Sequence, residues 1–167
     1  MKIRNLIKLF ATFLFLVSMV LVYACRHMPD SDETDATAVP QNIILMIGDG
    51  MGFAQVQAIQ LATGVDARML SASVHGAITT HSYDALITDS GAGGTAIATG
   101  HKTRNGMIGM TPDSVATLSM LEIFAKAGKS TGIVVSCAVT HATPASFIAK
   151  NIRRSNYEAI ALDFLES

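Results

Sequence analysis

Residues 43–47 read "IILMI", five apolar side chains in a row that stop at Gly48. A run with no polar position cannot face water on either side. At five residues, rich in isoleucine and ended by glycine, it reads as a strand covered on both faces, the kind found in parallel sheets. "GIVVSCAV", residues 132–139, is a second such run, and residues 77–81 have strand character. Helical patterns fall between them. "FAQVQAIQLATG" is a short helix with Gly64 as its C-cap. "TPDSVATLSMLEIFAKAGK" repeats Val115, Leu118, Leu121 and Ala125 at helical spacing; Asp113 or Ser114 can cap it and Gly128 ends it. "RSNYEAIALDFLES" opens another helix. Buried strands alternating with helices predict an α/β fold with a largely parallel central sheet flanked by helices.

The first residues are not part of that fold. Lys2, Arg4 and Lys8 precede the apolar run "LFATFLFLVSMVLVYA", and Cys25 follows at once. This is the pattern of an export signal. "VYAC" resembles a lipoprotein cleavage box, so residues 1–24 are predicted to be removed and Cys25 to be the lipidated first residue of the mature chain. Ordinary cleavage and an uncleaved anchor are the alternatives. Residues 26–40, "RHMPDSDETDATAVP", read as a flexible acidic linker. The folded domain is expected over 41–167. The protein is expected outside the cytoplasm, periplasmic or anchored to a membrane as a lipoprotein.

Composition narrows the partners. With 15% charged residues and a net charge of −1, the chain has no basic surface for nucleic acid. Its densest basic group, Lys150, Arg153 and Arg154, reads as a solvated helix face. With Cys25 set aside, Cys137 has no partner, and its apolar setting predicts a buried small side chain rather than a reactive thiol. No disulfide framework or cysteine zinc site is on offer.

Ligands gather at the carboxyl ends of strands in open α/β sheets. "IGDGMG" lies at one such end. Its glycines do not fit the dinucleotide spacing, and Asp49 would repel a phosphate unless a cation intervened. Asp49 is therefore either a metal carboxylate or a turn aspartate bonded to its own backbone. "THATP" lies at another end, where His141 and Thr143 could ligate a metal, or be a surface histidine and a capping threonine. "TDSGAGGTAIATG", residues 88–100, places Asp89 and Ser90 before a run of small residues that can be helical. Unpaired N–H groups at a helix start favour an anion. Ser90 is either a nucleophile activated by a metal or, with Asp89, a plain helix cap. The segment is not G-x-S-x-G, which argues against a hydrolase elbow.

Taken together and in this order, "IILMIGDGMG", "TDSGAGGTAIATGHKTRNGMIG" and "THATPASF" resemble the N-terminal part of alkaline phosphatase, over about residues 42–147. The resemblance implies an alkaline phosphatase-like fold, incomplete at the C-terminus, and the hydrolysis of phosphate monoesters with Zn2+ and Mg2+. It implies that Asp49 ligates zinc and magnesium and that Ser90 is the phosphorylated nucleophile on zinc. It further implies that Asp89 holds a phosphate-binding arginine, Thr143 ligates magnesium, and His141 lies near the third metal. It also implies a homodimer at full length. The family's other metal ligands come from later segments. After Thr143 this chain offers Glu158, Asp163 and Glu166 and no histidine. The phosphate-binding arginine is expected near or beyond the end of the chain, with Arg153 and Arg154 too early to match. The expectation is the N-terminal part of a longer enzyme, inactive by itself. The alternatives are a phosphodiesterase or phosphomutase of the same superfamily, or a non-catalytic truncated surface domain.

Overall fold

A computed structural model describes residues 40–166. The export signal, Cys25 and the acidic linker up to residue 39 lie outside the described residues. The chain divides into two units, Met1–Met46 and Ile47–Ser167. The described residues of the first unit, 40–46, are irregular and exposed.

Helices dominate the second unit. Helix α1 spans Phe53–Thr63. The Gln55 side chain accepts from the Gly52 N–H at 3.0 Å to start it, and the Gly64 N–H donates to the Gln60 carbonyl at 2.8 Å to end it, as the sequence predicts. A short 3-10 turn, Arg68–Ser71, follows. Helix α2 spans Ser90–Thr99, with Asp89 as N-cap and Gly100 as C-cap. Helix α3 spans Met120–Lys126, α4 Ala142–Ala145 and α5 Tyr157–Glu166.

The expected parallel sheet is not formed among the described residues. Residues 42–48, 74–82 and 129–135 carry no ladder, and Ile44, Ile78 and Val134 are 88%, 79% and 100% exposed. A strand needs its N–H and C=O groups taken up by neighbours and its apolar faces covered by helices. Here these runs have no neighbouring strand; the Thr79 and His81 carbonyls, for example, accept from Lys102 Nζ instead. Pairing is confined to the isolated bridges Ile108–Asn151 and Met110–Ala116. Cys137 shares this outcome: it is free and exposed rather than buried, because the run that would bury it joins no sheet.

Helix α3 is shorter than its apolar spacing suggests. Neither Asp113 nor Ser114 caps it. Thr111 and Val115 close a turn instead, with the Thr111 N–H on the Val115 carbonyl at 2.8 Å and Ser114 at φ 63°. The helix starts at Ser119, where a reciprocal box forms. The Glu122 N–H donates to Ser119 Oγ at 3.1 Å, and the Ser119 N–H donates to Glu122 Oε2 at 2.7 Å. That box satisfies two orphan donors at once, which one aspartate or serine upstream cannot do. Ser119 is buried and also donates to the Phe147 carbonyl. Glu122 pairs with Lys150 at 2.5 Å.

The core gathers Ile108, Ala142, Ala145, Ala149 and Ile160, with Phe164 packed against it. Around it α2 meets α4 through small residues. The buried side of α2 is Gly91, Ala92, Gly94, Thr95 and Ala98. A Cβ on Gly94 would lie 2.8 Å from Ser146 Oγ. Ser146 and Thr95 are fully buried, and their hydroxyls are satisfied by the Ala142 carbonyl at 2.7 Å and the Gly109 N–H at 2.9 Å. Close approach is thus made possible by missing side chains, and two hydroxyls fill what remains.

Gly109 is the tightest point of the core. Its φ is +60°, and a Cβ there would sit 2.2 Å from the Ala149 carbonyl oxygen. Neither the left-handed backbone nor the backbone clash can be relieved by a side-chain rotation. Gly109→Ala is expected to destabilise the chain by about 3 kcal/mol or more, read as the shift in urea midpoint. A change under about 0.5 kcal/mol would contradict this packing.

Candidate active site

Asp89 is built into the start of α2 by its own chemistry. A carboxylate at the N-cap accepts orphan N–H bonds that the helix cannot satisfy internally. Its Oδ1 accepts from the Ala92 N–H at 2.9 Å. Its Oδ2 accepts from the Gly106 N–H at 3.0 Å and from Arg154 Nη1 at 3.0 Å. Burial, the largest single influence, pushes the Asp89 carboxyl up. The bonds from Ala92, Arg154 and Gly106 and the charge of Arg154 outweigh it, and the carboxyl lies below the ordinary range. Glu122 behaves alike: burial raises it, while Lys150 and the Ser119 cap lower it further.

A carboxyl depressed by folding stabilises the fold above the unfolded-state value of about 4. That contribution is lost as pH falls through the lower folded-state value. The stability gap between wild type and Asp89→Asn is therefore expected to be widest above about pH 4 and to narrow in more acidic solution. Urea titrations at a series of pH values measure it. A gap that stays constant down to full protonation would contradict the pairing.

Ser90, the first residue of α2, lies next to this cap. Its Oγ donates to Asp49 Oδ1 at 3.1 Å. The other oxygen of the same carboxylate, Oδ2, accepts from Thr143 Oγ1 at 2.7 Å. One aspartate thus joins two hydroxyls from the starts of α2 and α4, residues 41 and 94 positions away in sequence. Asp49 does not cap its own turn with its side chain, so the turn-aspartate alternative is not what the structure shows. Thr143 and Ser90 likewise turn their hydroxyls to Asp49 rather than to the backbone.

Four of the residues singled out by sequence thus lie together: Asp49, Ser90, Thr143 and Asp89. His141 is the N-cap residue of α4, makes no side-chain cap bond and is exposed. It is not brought into a metal-binding group. Among the described residues no group of three or more His, Cys, Asp or Glu side chains could hold a metal ion. The carboxylate and two hydroxyls are an all-oxygen set. That chemistry fits part of a site for a hard dication such as magnesium. Zinc draws on histidine, cysteine and carboxylate ligands, and of these the set offers Asp49 alone.

Arg154 corrects the sequence reading. It does not lie on a solvated helix face. It stands in the turn before α5, with its guanidinium on Asp89. Lys150 of the same basic group pairs with Glu122. No local pattern marks Arg154, because its partner is 65 positions away. Asn105 was missed as well. Its Oδ1 accepts from the Asp89 N–H at 3.1 Å, and its Nδ2 donates to the Ile87 carbonyl at 2.9 Å. The available signal was the "NG" pair at residues 105–106, a turn signature.

The chain is similar to known proteins over most of its length. The family model for alkaline phosphatase matches residues 40–165. Alkaline phosphatase 4 of Bacillus subtilis is 37% identical over 158 residues, which cover 87% of this chain and 34% of that protein. Streptomycin-6-phosphate phosphatase of Streptomyces griseus is 35% identical over 132 residues, 74% of this chain and 29% of that protein. Among solved structures, alkaline phosphatase from the Antarctic bacterium TAB5 superposes with a TM-score of 0.68 at 39% identity, covering 71% of this chain and 35% of that one. The chain therefore spans about a third of the length of the relatives it matches. With three motifs, one shared site and a family model over most of its length, the chain belongs to the alkaline phosphatase family, of which it corresponds to an N-terminal portion.

Proposed function

We propose that this chain supplies the nucleophile, the phosphate-binding arginine and part of the metal site of a phosphomonoesterase. One observation carries the reading: Asp49 holds the hydroxyls of Ser90 and Thr143 while Asp89, one residue before Ser90, holds Arg154. A nucleophile, a fixed cation and a helix N-terminus then share one location.

Ser90 Oγ attacks the phosphorus of a monoester, the P–O bond to the alcohol breaks, and the phosphoryl group rests on Ser90. Water then attacks that phosphoserine, restoring the hydroxyl and releasing inorganic phosphate. Asp49 orients the Ser90 hydroxyl through its hydrogen bond. The α2 N-terminus favours the anionic phosphoryl group. Arg154 meets the charge on its equatorial oxygens. A guanidinium has five N–H donors, so the bond to Asp89 orients it without exhausting it. Asp49 and Thr143 would hold Mg2+, and Asp49 and Ser90 would face Zn2+. The chemistry such ions supply when bound is a lowered hydroxyl pKa and neutralised phosphate charge. A variant of the TAB5 enzyme is described with Mg bound in its M3 site, which supports the magnesium part.

Turnover belongs to a protein of full family length, since the described residues do not complete a metal set. The relatives above are named as phosphatases, one of them for streptomycin 6-phosphate, which favours monoesters over the diester and mutase readings. The test is chemical trapping: a full-length, metal-loaded enzyme carrying this segment is mixed with a radiolabelled monoester and quenched in acid. Label mapping to Ser90 is expected. Label on another residue would overturn the assignment.

We also propose that the protein is exported and tethered by lipid at Cys25. Cys25→Ser is expected to abolish incorporation of labelled fatty acid and to leave the protein in the soluble fraction. Unchanged fatty-acid labelling in that variant would show that the "VYAC" box is not used.

A further inference from the structure

The turn at residues 104–107 touches both partners of the Asp89–Arg154 pair, yet it contributes no group to the chemistry. The Met107 N–H donates to the Arg104 carbonyl at 3.1 Å, closing the turn. Gly106 has φ +87°, and positive φ at the third position of a turn calls for glycine. Four of the turn's bonds reach residues 87, 89 and 154. Asn105 Oδ1 accepts from the Asp89 N–H at 3.1 Å, and Asn105 Nδ2 donates to the Ile87 carbonyl at 2.9 Å. The Gly106 N–H donates to Asp89 Oδ2 at 3.0 Å. The Gly106 carbonyl accepts from the Arg154 N–H at 2.7 Å. The turn itself is held from the other side, where the Asn105 N–H donates to Asp84 Oδ1 at 3.3 Å.

We propose that Asn105 and Gly106 are positioning residues that fix Asp89 and Arg154 relative to each other, and so set where the guanidinium stands beside Ser90. This rests on the reading of Arg154 as the phosphate-binding cation. A salt bridge alone leaves an arginine free to swing about a carboxylate through several geometries. The turn removes that freedom from both ends. Asn105 grips the backbone before and at Asp89, while Gly106 grips the Asp89 carboxylate and the Arg154 backbone. Two adjacent peptide units thus measure the distance between nucleophile segment and cation. The left-handed Gly106 makes the measurement possible, because it lets its N–H and carbonyl reach different segments. A Cβ on Gly106 would meet nothing within 4 Å, so Gly106→Ala perturbs only the backbone conformation.

The experiment uses the isotopically labelled 167-residue chain and reads nuclear magnetic resonance signals, so it needs no turnover. Two readouts are followed in Asn105→Ala and Gly106→Ala. One is the pair of Arg154 Nη resonances, which stay distinct while the guanidinium is held and merge when it rotates freely. The other is amide exchange at Asp89 and Arg154 against Ile160, whose N–H is bonded within its own segment to the Asn156 carbonyl. The expected result is merged Arg154 resonances and exchange about tenfold faster at Asp89 and Arg154, with Ile160 unchanged. Asn105→Asp keeps an acceptor for the Asp89 N–H and is expected to retain Asp89 protection. Should Asn105→Ala fail to fold, Gly106→Ala and Asn105→Asp decide. Two outcomes overturn the proposal: wild-type Arg154 signals and exchange in the variants, or exchange rising equally at Ile160, which marks a role in overall stability alone. Failure here would leave the phosphatase reading standing, and an unlabelled Ser90 in the trapping experiment would leave this turn's role standing.

Discussion

Ser90→Ala is expected to abolish the acid-stable phosphoenzyme and to lower kcat at least about a thousandfold in a full-length enzyme carrying this segment. The loss should be chemical and not structural. Ser90 is the first residue of α2, and alanine there favours helix. The cap is Asp89, whose bonds to Ala92 and Gly106 do not involve the Ser90 side chain. One exposed hydrogen bond, to Asp49, is lost. The thermal midpoint should therefore move by about 3 °C or less while the reaction nearly stops. Quench-trapping and a melting curve on the same preparation separate the two effects. Phosphate still trapped at this position's neighbours, with kcat intact, would remove Ser90 from the mechanism.

Arg154→Ala is expected to lower kcat/KM by about 10²–10³-fold, the range for losing one donor aimed at developing charge. Part of the cost falls on the fold. Asp89 loses a charged partner and keeps its two backbone donors, a change of about 1–2 kcal/mol. Arg154→Lys should recover little, because an ammonium cannot reproduce the planar fork that bonds a carboxylate and a phosphate together. Inorganic phosphate, a product and competitive inhibitor under this mechanism, gives an independent readout. Its affinity should fall in both variants. A variant that melts earlier but keeps its phosphate affinity and kcat/KM would make Arg154 a strut for Asp89 and nothing more.

The parts legible in the sequence were those fixed by short-range chemistry. Helix α2 was legible because Asp89 caps a run of small residues, and α1 because Gly64 ends it. Asp49, Ser90 and Thr143 could be named from three motifs, though nothing local says that one carboxylate joins both hydroxyls. The parts that were not legible depend on distant partners. The run at 43–47 looks like a strand, but a strand is completed by its neighbours, and this chain spans about a third of its relatives' length. Exposed Ile44, Ile78 and Val134 are apolar side chains that find no covering layer among the described residues. Arg154 looked like a solvated charge because charge clusters usually are. Its pairing with Asp89 is set by the turn at 104–107, which no periodicity reveals. For α3 the error was one of competition. The apolar spacing from Val115 was real, but the box of Ser119 and Glu122 offered a better start.

The junction of α2 with α4 has a consequence for how this segment can be dissected. Of the ten residues of α2, three are alanine and three glycine. Alanine scanning reports on what a side chain contributes, and along most of this helix there is no side chain to take away. Such a scan would mark Ser90 and Thr95 and find nothing to remove at the buried Gly91, Gly94 and Ala98, of which Gly91 and Gly94 lie against Ser146 at the end of α4. The informative experiment runs in the opposite direction, adding volume one methyl group at a time. Its readout would be how far the starts of α2 and α4, and with them the hydroxyls on Asp49, are forced apart.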